Sequence, residues 1–343
     1  MSLLRFVTEI QLAHPQPPGT GLVAYIAVGL MDVYGLAVPR GAGKAFTSAI
    51  IRCLEAHRGE IQLNTEVTKI VTEKGRAVGV RTRAGEIRAK ECVVAQIHPH
   101  IIGRLVDGLD TAITDAASKN KLPEFSLLVI HAALEKLLKF RAGAIANNVV
   151  MNTICPNRVD ELLHSYHTMA TGEIPDGVMV GASCVNIADP LRAPPGKVIL
   201  HAVIMVRANN AEVGFHGWDA IKDDVVFKVF NHLTQYHEDF TPDQIRAYHV
   251  VTPSNHEEDT PSFQQGDIYG LAMSSDQMGL TRPTPALSQY RVPDVQGLYL
   301  AGPFMHPGGG VWGGGRPVAM RVMEDMGIDF ESLFRASVPT SHL

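Results

Sequence analysis

The chain has 343 residues, 45% hydrophobic and 19% charged, with 30 Lys and Arg against 35 Asp and Glu for a formal net charge of −5. This composition excludes a disordered polypeptide, and the scattered cations give no basic stripe for nucleic acid. The length accommodates two domains with a core each.

Taken in chain order, residues 1 to about 38 form an apolar segment punctuated by Gly and Pro. From Ala45 to Ala56, Phe46, Ala49, Ile50, Cys53 and Leu54 recur at helical spacing, and Gly59 closes that helix. Ile61 to Ile70 reads as a strand, followed by a hairpin over Ala77–Arg83 and Glu86–Val94, with Lys74-Gly75 and Ala84-Gly85 as turns. A helix is predicted near His100–Leu109, and strands at Phe125–Ala132 and Val198–Val206. The stretch Asp219–His237 is amphipathic, with Ile221, Val225, Val226, Val229, Phe230 and Leu233 on one face, and should pack on that sheet.

The strongest signal lies near the end. The apolar run Gly297-Leu-Tyr-Leu-Ala-Gly302 leads through Pro303 to His306-Pro307-Gly308-Gly309-Gly310-Val311, then Gly313-Gly-Gly315-Arg316, and Pro317 falls in the first turn of a predicted helix. Strand, glycine turn and helix in that order predict a backbone that approaches an anionic ligand closely. Gly308, Gly310 and Gly313 meet the G-x-G-x-x-G spacing, but no second strand and acidic ribose partner follow, so the spacing does not define a Rossmann unit.

Other candidates are weaker. Cys53, Cys92, Cys155 and Cys184 are far apart and lack zinc spacing, so reduced thiols in a cytoplasmic chain are expected. There is no apolar run of 18 residues, which leaves peripheral membrane contact as the only membrane reading. None of the 15 histidines forms an H-E-x-x-H site, and no metal is expected. Gly181-Ala-Ser183-Cys184 lacks the second glycine of a nucleophile elbow. Asp276-Gln277 either faces a substrate or, as the preferred reading, shapes a turn before Arg282-Pro283. The run Asn255–Asp259 reads as a solvated loop.

Several motifs in fixed order resemble the phytoene desaturase-like FAD-dependent oxidoreductases, which include carotenoid desaturases and isomerases and the pyridine nucleotide-disulphide oxidoreductase domain-containing proteins. They are Gly266-Asp-Ile, Met273-Ser-Ser-Asp276-Gln277, Arg282-Pro283, Tyr290-Arg291-Val-Pro293, Gly297–Gly302 and His306–Val311, preceded by Pro39-Arg-Gly41-Ala-Gly43 and Gly59–Ile70. The resemblance covers nearly the whole chain. It implies an α/β fold, with an incomplete FAD-binding domain of glutathione-reductase type (residues 1–115 and 266–343) interrupted by an α+β substrate or cap domain (116–265).

The same resemblance implies that FAD is held by Val67, whose backbone would meet the adenine, and by Gly302, Pro303, His306, Pro307, Gly308, Gly309, Gly310, Val311 and Gly315. The glycine turn has one residue fewer than in relatives and should be tighter. Nothing between Met1 and Tyr34 carries the family's G-x-G-x-x-G turn, so the FAD site is expected to be incomplete in this chain. The implied activity is hydride transfer between FAD and a C–C or C=C bond of a lipophilic, polyene- or terpenoid-like substrate, with no catalytic residue assigned. The site would be completed by a second chain or another copy of this one. The alternatives are a cofactor-free scaffold partner of a complete flavoenzyme, or an inactive piece of a longer product.

Overall fold

The computed structural model describes residues 29, 32, 33, 35, 37–309 and 314–337, without the side chains of 334–337. The chain divides into two compact units, the described residues of Met1–Ile61 with Pro123–Ile268, and those of Gln62–Leu122 with Tyr269–Leu343.

Helix α1 (Ala42–Ala56) begins after Gly41, whose φ of 77° turns the chain into the helix and whose N–H donates to Asp189 at 2.7 Å. Its apolar residues have the predicted spacing, yet none is buried, and Phe46, Ile50 and Leu54 are 39%, 45% and 44% exposed. The strand expected from Ile61 starts only at Val67, because Asn64 adopts a φ of 54° and breaks the extended run. Strands β1 (Val67–Glu73), β2 (Arg76–Thr82) and β3 (Gly85–Arg88) form an antiparallel meander. Its first hairpin pairs Glu73 with Arg76, and the two residues between, Lys74 and Gly75, both take positive φ.

Strand β4 (Val93–Ala95) then leaves the meander. The helix predicted over 100–109 is a 3-10 turn at Pro99–Ile101 and a single turn, α2 (Ile102–Leu105), which ends where Val106 becomes extended. A further helix, α3 (Thr111–Ser118), is capped by Asp110, whose carboxylate accepts the Ala112 N–H at 2.8 Å.

The first unit is built around β5 (Ser126–Leu134). After it come α4 (Ala144–Asn147), β6 (Met151–Ile154), α5 (Val159–Ala170), β7 (Val180–Cys184), β8 (Val198–Val206), α6 (Lys222–Thr234), β9 (Ile245–Val251) and α7 (Pro253–Asp259). The strands make an antiparallel sheet in the order β6-β7-β8-β5-β9. Alternate residues of β5 and β8 (Leu128, Ile130, Leu134, Leu200, Ile204) point into a core completed by Val225, Val226, Val229, Phe230 and Leu233 of α6, as the amphipathic pattern predicted. Each such side chain stabilises the unit by roughly 1.5–3 kcal/mol. The run Asn255–Asp259 is helical, not a loop, because Thr252 and Asn255 form a capping box ahead of it.

In the second unit, β10 (Leu298–Leu300) pairs in parallel with β4, Leu298 opposite Val93 and Leu300 opposite Ala95. Helices α8 (Gly315–Asp325) and α9 (Phe330–Ser337) follow. Gln296 bonds both Gly75 and Ala77, at 2.8 and 2.9 Å, and so ties the β1–β3 meander to the chain entering β10. Ile70, Ala77, Ile102, Leu287, Leu298 and Leu300 belong to the core of this unit. The structure is therefore mixed α/β, the class expected from the sequence.

Candidate functional site

The parallel pair β4 and β10 sends its two carboxyl ends in one direction, and the glycine-rich turn begins there. Gly302, directly after β10, has a φ of 100°, and a Cβ on it would lie 2.8 Å from the Gln96 side chain that follows β4. Gly314, just before α8, packs on the same spot, since its Cβ would lie 2.8 Å from the Gly302 carbonyl oxygen. The turn thus leaves β10 and returns to it before α8 starts, and only glycine fits at either closure.

Between these closures, Gly308 and Gly309 take φ values of 78° and 51°. The His306–Pro307 peptide is cis, and the His306 carbonyl accepts a hydrogen bond from the Tyr290 hydroxyl at 3.0 Å. Tyr290 also accepts the Leu300 N–H at 2.7 Å, so one residue holds both the strand and the turn. The His306 and Pro307 side chains are exposed, while Gly302, Pro303, Gly308 and Gly309 are half-buried and Gly315 is exposed at the start of α8. Gly310 and Val311 lie outside the described residues. Seven of the ten residues assigned to the site from sequence are therefore brought together as one turn and the helix start behind it. Val67 stands elsewhere in the unit, 40% exposed at the first position of β1 and paired with Thr82.

Beneath the turn lies a residue whose role the sequence did not reveal. Arg282 is completely buried, and its guanidinium donates to five backbone carbonyls: Pro303 at 2.8 Å, Ala272 at 3.1 Å, Leu271 at 3.3 Å, and Gln277 and Tyr269 at 3.4 Å. Gln277 resolves as the turn-shaping residue. Its amide donates to the carbonyls of Lys121 (2.9 Å) and Ala272 (3.1 Å), and its oxygen accepts the Lys121 N–H at 2.8 Å. Asp276 pairs with Lys121 at 2.5 Å on the surface, and this cation holds its carboxyl below the usual range.

His98, beyond β4, closes the other flank. It is buried, its Nδ1 accepts the His100 N–H at 3.2 Å, and its ring meets those of His100 and Phe304 edge-on at 4.4 and 5.0 Å. Burial first, then the neighbouring His100, push its imidazole down to about 4, with a backbone hydrogen bond to Gly270 opposing. The ring is neutral at physiological pH.

Two further features stand apart from the turn. A cleft of about 770 Å³ opens at the amino ends of β4 and β10, lined by Arg76, Cys92, Arg291, Tyr299 and Asp325 among others, and burial raises the Cys92 thiol. In the first unit, His201, His131 and His249 occupy one register row across β8, β5 and β9, with Ser183 beside them on β7. His201 is pushed down to about 4, chiefly by burial. Among the described residues, no group of three or more His, Cys, Asp or Glu side chains is placed to hold a metal ion. No helix among them is long and apolar enough to cross a membrane.

At Gly302, Gly308 and Gly314 the absent Cβ makes room for Gln96, Arg282 and the Gly302 carbonyl, so these glycines let the turn close on the body of its own unit. No family model matches the chain. It is 27% identical over 332 residues, 92% of this chain and 56% of the relative, to pyridine nucleotide-disulfide oxidoreductase domain-containing protein 2 of Mus musculus. It is 24% identical over 325 residues, 92% of this chain and 62% of the relative, to the lycopene-forming phytoene desaturase of Pseudescherichia vulneris. The chain thus spans little more than half the length of the curated relatives it matches. Among solved structures, an oxidoreductase from Methanosarcina mazei shares the fold with a TM-score of 0.57 at 15% identity, over 95% of this chain and 64% of that one. The chain is thus similar along most of its length to a pyridine nucleotide-disulfide oxidoreductase domain-containing protein and to a phytoene desaturase, and it shares its fold with the Methanosarcina mazei oxidoreductase.

Proposed function

We propose that this chain contributes to an FAD-dependent oxidoreductase acting on C–C or C=C bonds of a lipophilic substrate. The glycine turn at the carboxyl ends of a parallel strand pair carries the reading, because ligands of open α/β sheets bind at that end. FAD, when bound, supplies two-electron hydride chemistry. The residues of the chain would provide position: the positive-φ backbone at Gly302, Gly308 and Gly309 shapes the turn that would meet the cofactor, and Tyr290 fixes the turn through the His306 carbonyl. Gly310, Val311 and Gly315 are proposed to contact the cofactor as well, and Val67 to meet the adenine. The desaturase homologue, named for phytoene, supports a polyene or terpenoid substrate. No side chain at the turn is assigned to proton transfer.

A partner strand belongs to the same proposal. β10 is bonded on its outer side by residues 290–295, but no strand pairs with the outer edge of β4 among the described residues, and Val94 there is 49% exposed. Parallel strands occur in larger, covered sheets, and an open edge is a template for pairing. A second chain or a second copy that adds a strand to β4 would complete both sheet and cofactor site.

The deciding experiment is the visible absorbance spectrum of the purified chain before and after addition of FAD, with light scattering on the same sample. Bound-flavin bands and a species larger than the 37.2 kDa monomer are expected. A colourless chain that does not take up FAD, alone or with its copurifying partner, rejects the oxidoreductase reading and leaves the scaffold reading.

A further inference from the structure

The sheet of the first unit carries one polar line across an otherwise apolar face. Leu128, Ile130, Leu200 and Ile204 point into the core with α6, so the alternate residues of β5 and β8 turn the other way. There His201, His131 and His249 stand side by side on β8, β5 and β9. The rows flanking them are Val203, Val129 and Val251 on one side and Ile199, Ala133 and Ala247 on the other. His131 and His201 are half-buried, with ring centroids 4.8 Å apart and planes at 68°. Among the described residues neither ring takes part in a hydrogen bond, and neither is sealed from solvent. The row runs out at the sheet edge through His249, which also lines a cleft of about 480 Å³.

A half-buried imidazole among apolar side chains loses part of its hydration and gains from a partner that replaces it. The chemistry of the row limits that partner. Each neutral imidazole offers one N–H donor and one acceptor nitrogen, and burial lowers both rings, His201 to about 4, so that they are neutral at physiological pH. Arg192, whose charge is felt at His201, is already paired with Asp189 at 3.3 Å, which leaves a carboxylate or phosphate without a counter-charge. A protein segment brings a polar backbone group with every residue, whereas this face offers hydrogen bonds along one row only.

We propose that this face binds a lipophilic molecule carrying one neutral oxygen function, a hydroxyl or a carbonyl, which hydrogen-bonds to the His131–His201 pair while its carbon skeleton covers the apolar rows. This rests on the oxidoreductase reading and names its substrate class: an oxygenated terpenoid or polyene instead of a bare hydrocarbon. A hydrocarbon would strip water from both imidazoles and return no hydrogen bond, and that cost is the origin of the selectivity.

The test uses the full chain without added flavin, so that cofactor uptake does not enter. Isothermal titration compares β-ionone, its alcohol β-ionol and the hydrocarbon of the same skeleton on the wild type, His131→Leu, His201→Leu and His201→Gln, each first checked for folding by circular dichroism. The wild type should bind the ketone and the alcohol at least about tenfold more tightly than the hydrocarbon. Both leucine variants should lose that preference, and His201→Gln, which keeps a donor and an acceptor, should retain most of it. The carbonyl stretch of bound β-ionone should lie below its frequency in alkane and move back in His201→Leu.

Equal binding of the three ligands by the wild type, binding of none, or a preference that survives both leucine changes overturns the proposal. Zn²⁺ binding that displaces the ligands and is lost in both leucine variants overturns it as well. Should the leucine variants fail to fold, the wild-type carbonyl stretch decides, and an unshifted band overturns it. A chain with the tenfold preference that never takes up FAD upholds this site and rejects the oxidoreductase reading. Flavin uptake without any preference for oxygen leaves that reading intact and rejects only this site.

Discussion

Gly308 lies against Arg282 so closely that a single added methyl group would stand 2.4 Å from the guanidinium Nε. The turn and a side chain shut away from water are therefore one mechanical unit, and the turn cannot shift without disturbing the five carbonyls that Arg282 holds.

Gly308→Ala should destabilise the protein by about 2–4 kcal/mol, from left-handed backbone strain and overpacking against a side chain with no room to move. Gly315→Ala has open space at its Cβ and no positive φ, so it should be neutral. Denaturant midpoints of the two variants check this; equal effects would mean that the turn adapts.

Stability should fall on acidification because of His98. Its folded pKa, about 4, lies below the unfolded value near 6.5, so the unfolded chain binds the proton first. The contribution is complete above pH 6.5 and is lost as pH falls from 6.5 towards 4, by on the order of 3 kcal/mol at the lower limit. Urea unfolding at pH 7 and pH 5 should show this loss in the wild type and a smaller one in His98→Gln. An identical pH slope in the variant would refute the assignment.

Gln277→Ala removes three hydrogen bonds to backbone and should cost about 1–3 kcal/mol, chiefly because the Lys121 N–H loses the Gln277 oxygen, whereas the Lys121 and Ala272 carbonyls keep the Ala272 N–H and Arg282 as donors. Asp276→Ala, next to it, breaks a surface pair with Lys121 and should cost less than about 1 kcal/mol. Thermal melts of both separate a residue that shapes the turn from one that decorates it. A larger loss for Asp276→Ala would reverse the roles.

Much of this architecture could be read along the chain because it is governed by periodicity. The strand Val198–Val206 appears with the predicted bounds, and α6 buries the face that Val225, Val229 and Phe230 mark, since each element meets a single core. The short strands β6, β7 and β9 went unread. Gly181-Ala-Ser183 has small residues with no alternation, and β9 exposes Arg246 and His249 at the sheet edge, so neither shows a two-residue pattern. The expected strand from Ile61 failed on one backbone angle, the positive φ of Asn64, which hydrophobicity does not encode.

For the site, the sequence alone determined that strand, glycine turn and helix follow one another, because glycine density reports directly on backbone freedom and Pro317 on a helix start. Tertiary structure decided what the glycines serve. Gly302 answers to Gln96 some 200 residues earlier, Gly308 to Arg282, and Gly314 to the carbonyl of Gly302. Arg282 and Gln277 draw their partners from backbone carbonyls and, for Gln277, the Lys121 N–H, groups that the main chain carries everywhere, so no residue pattern could announce them. Packing alone places those carbonyls at one point, and with them a buried charge under the turn.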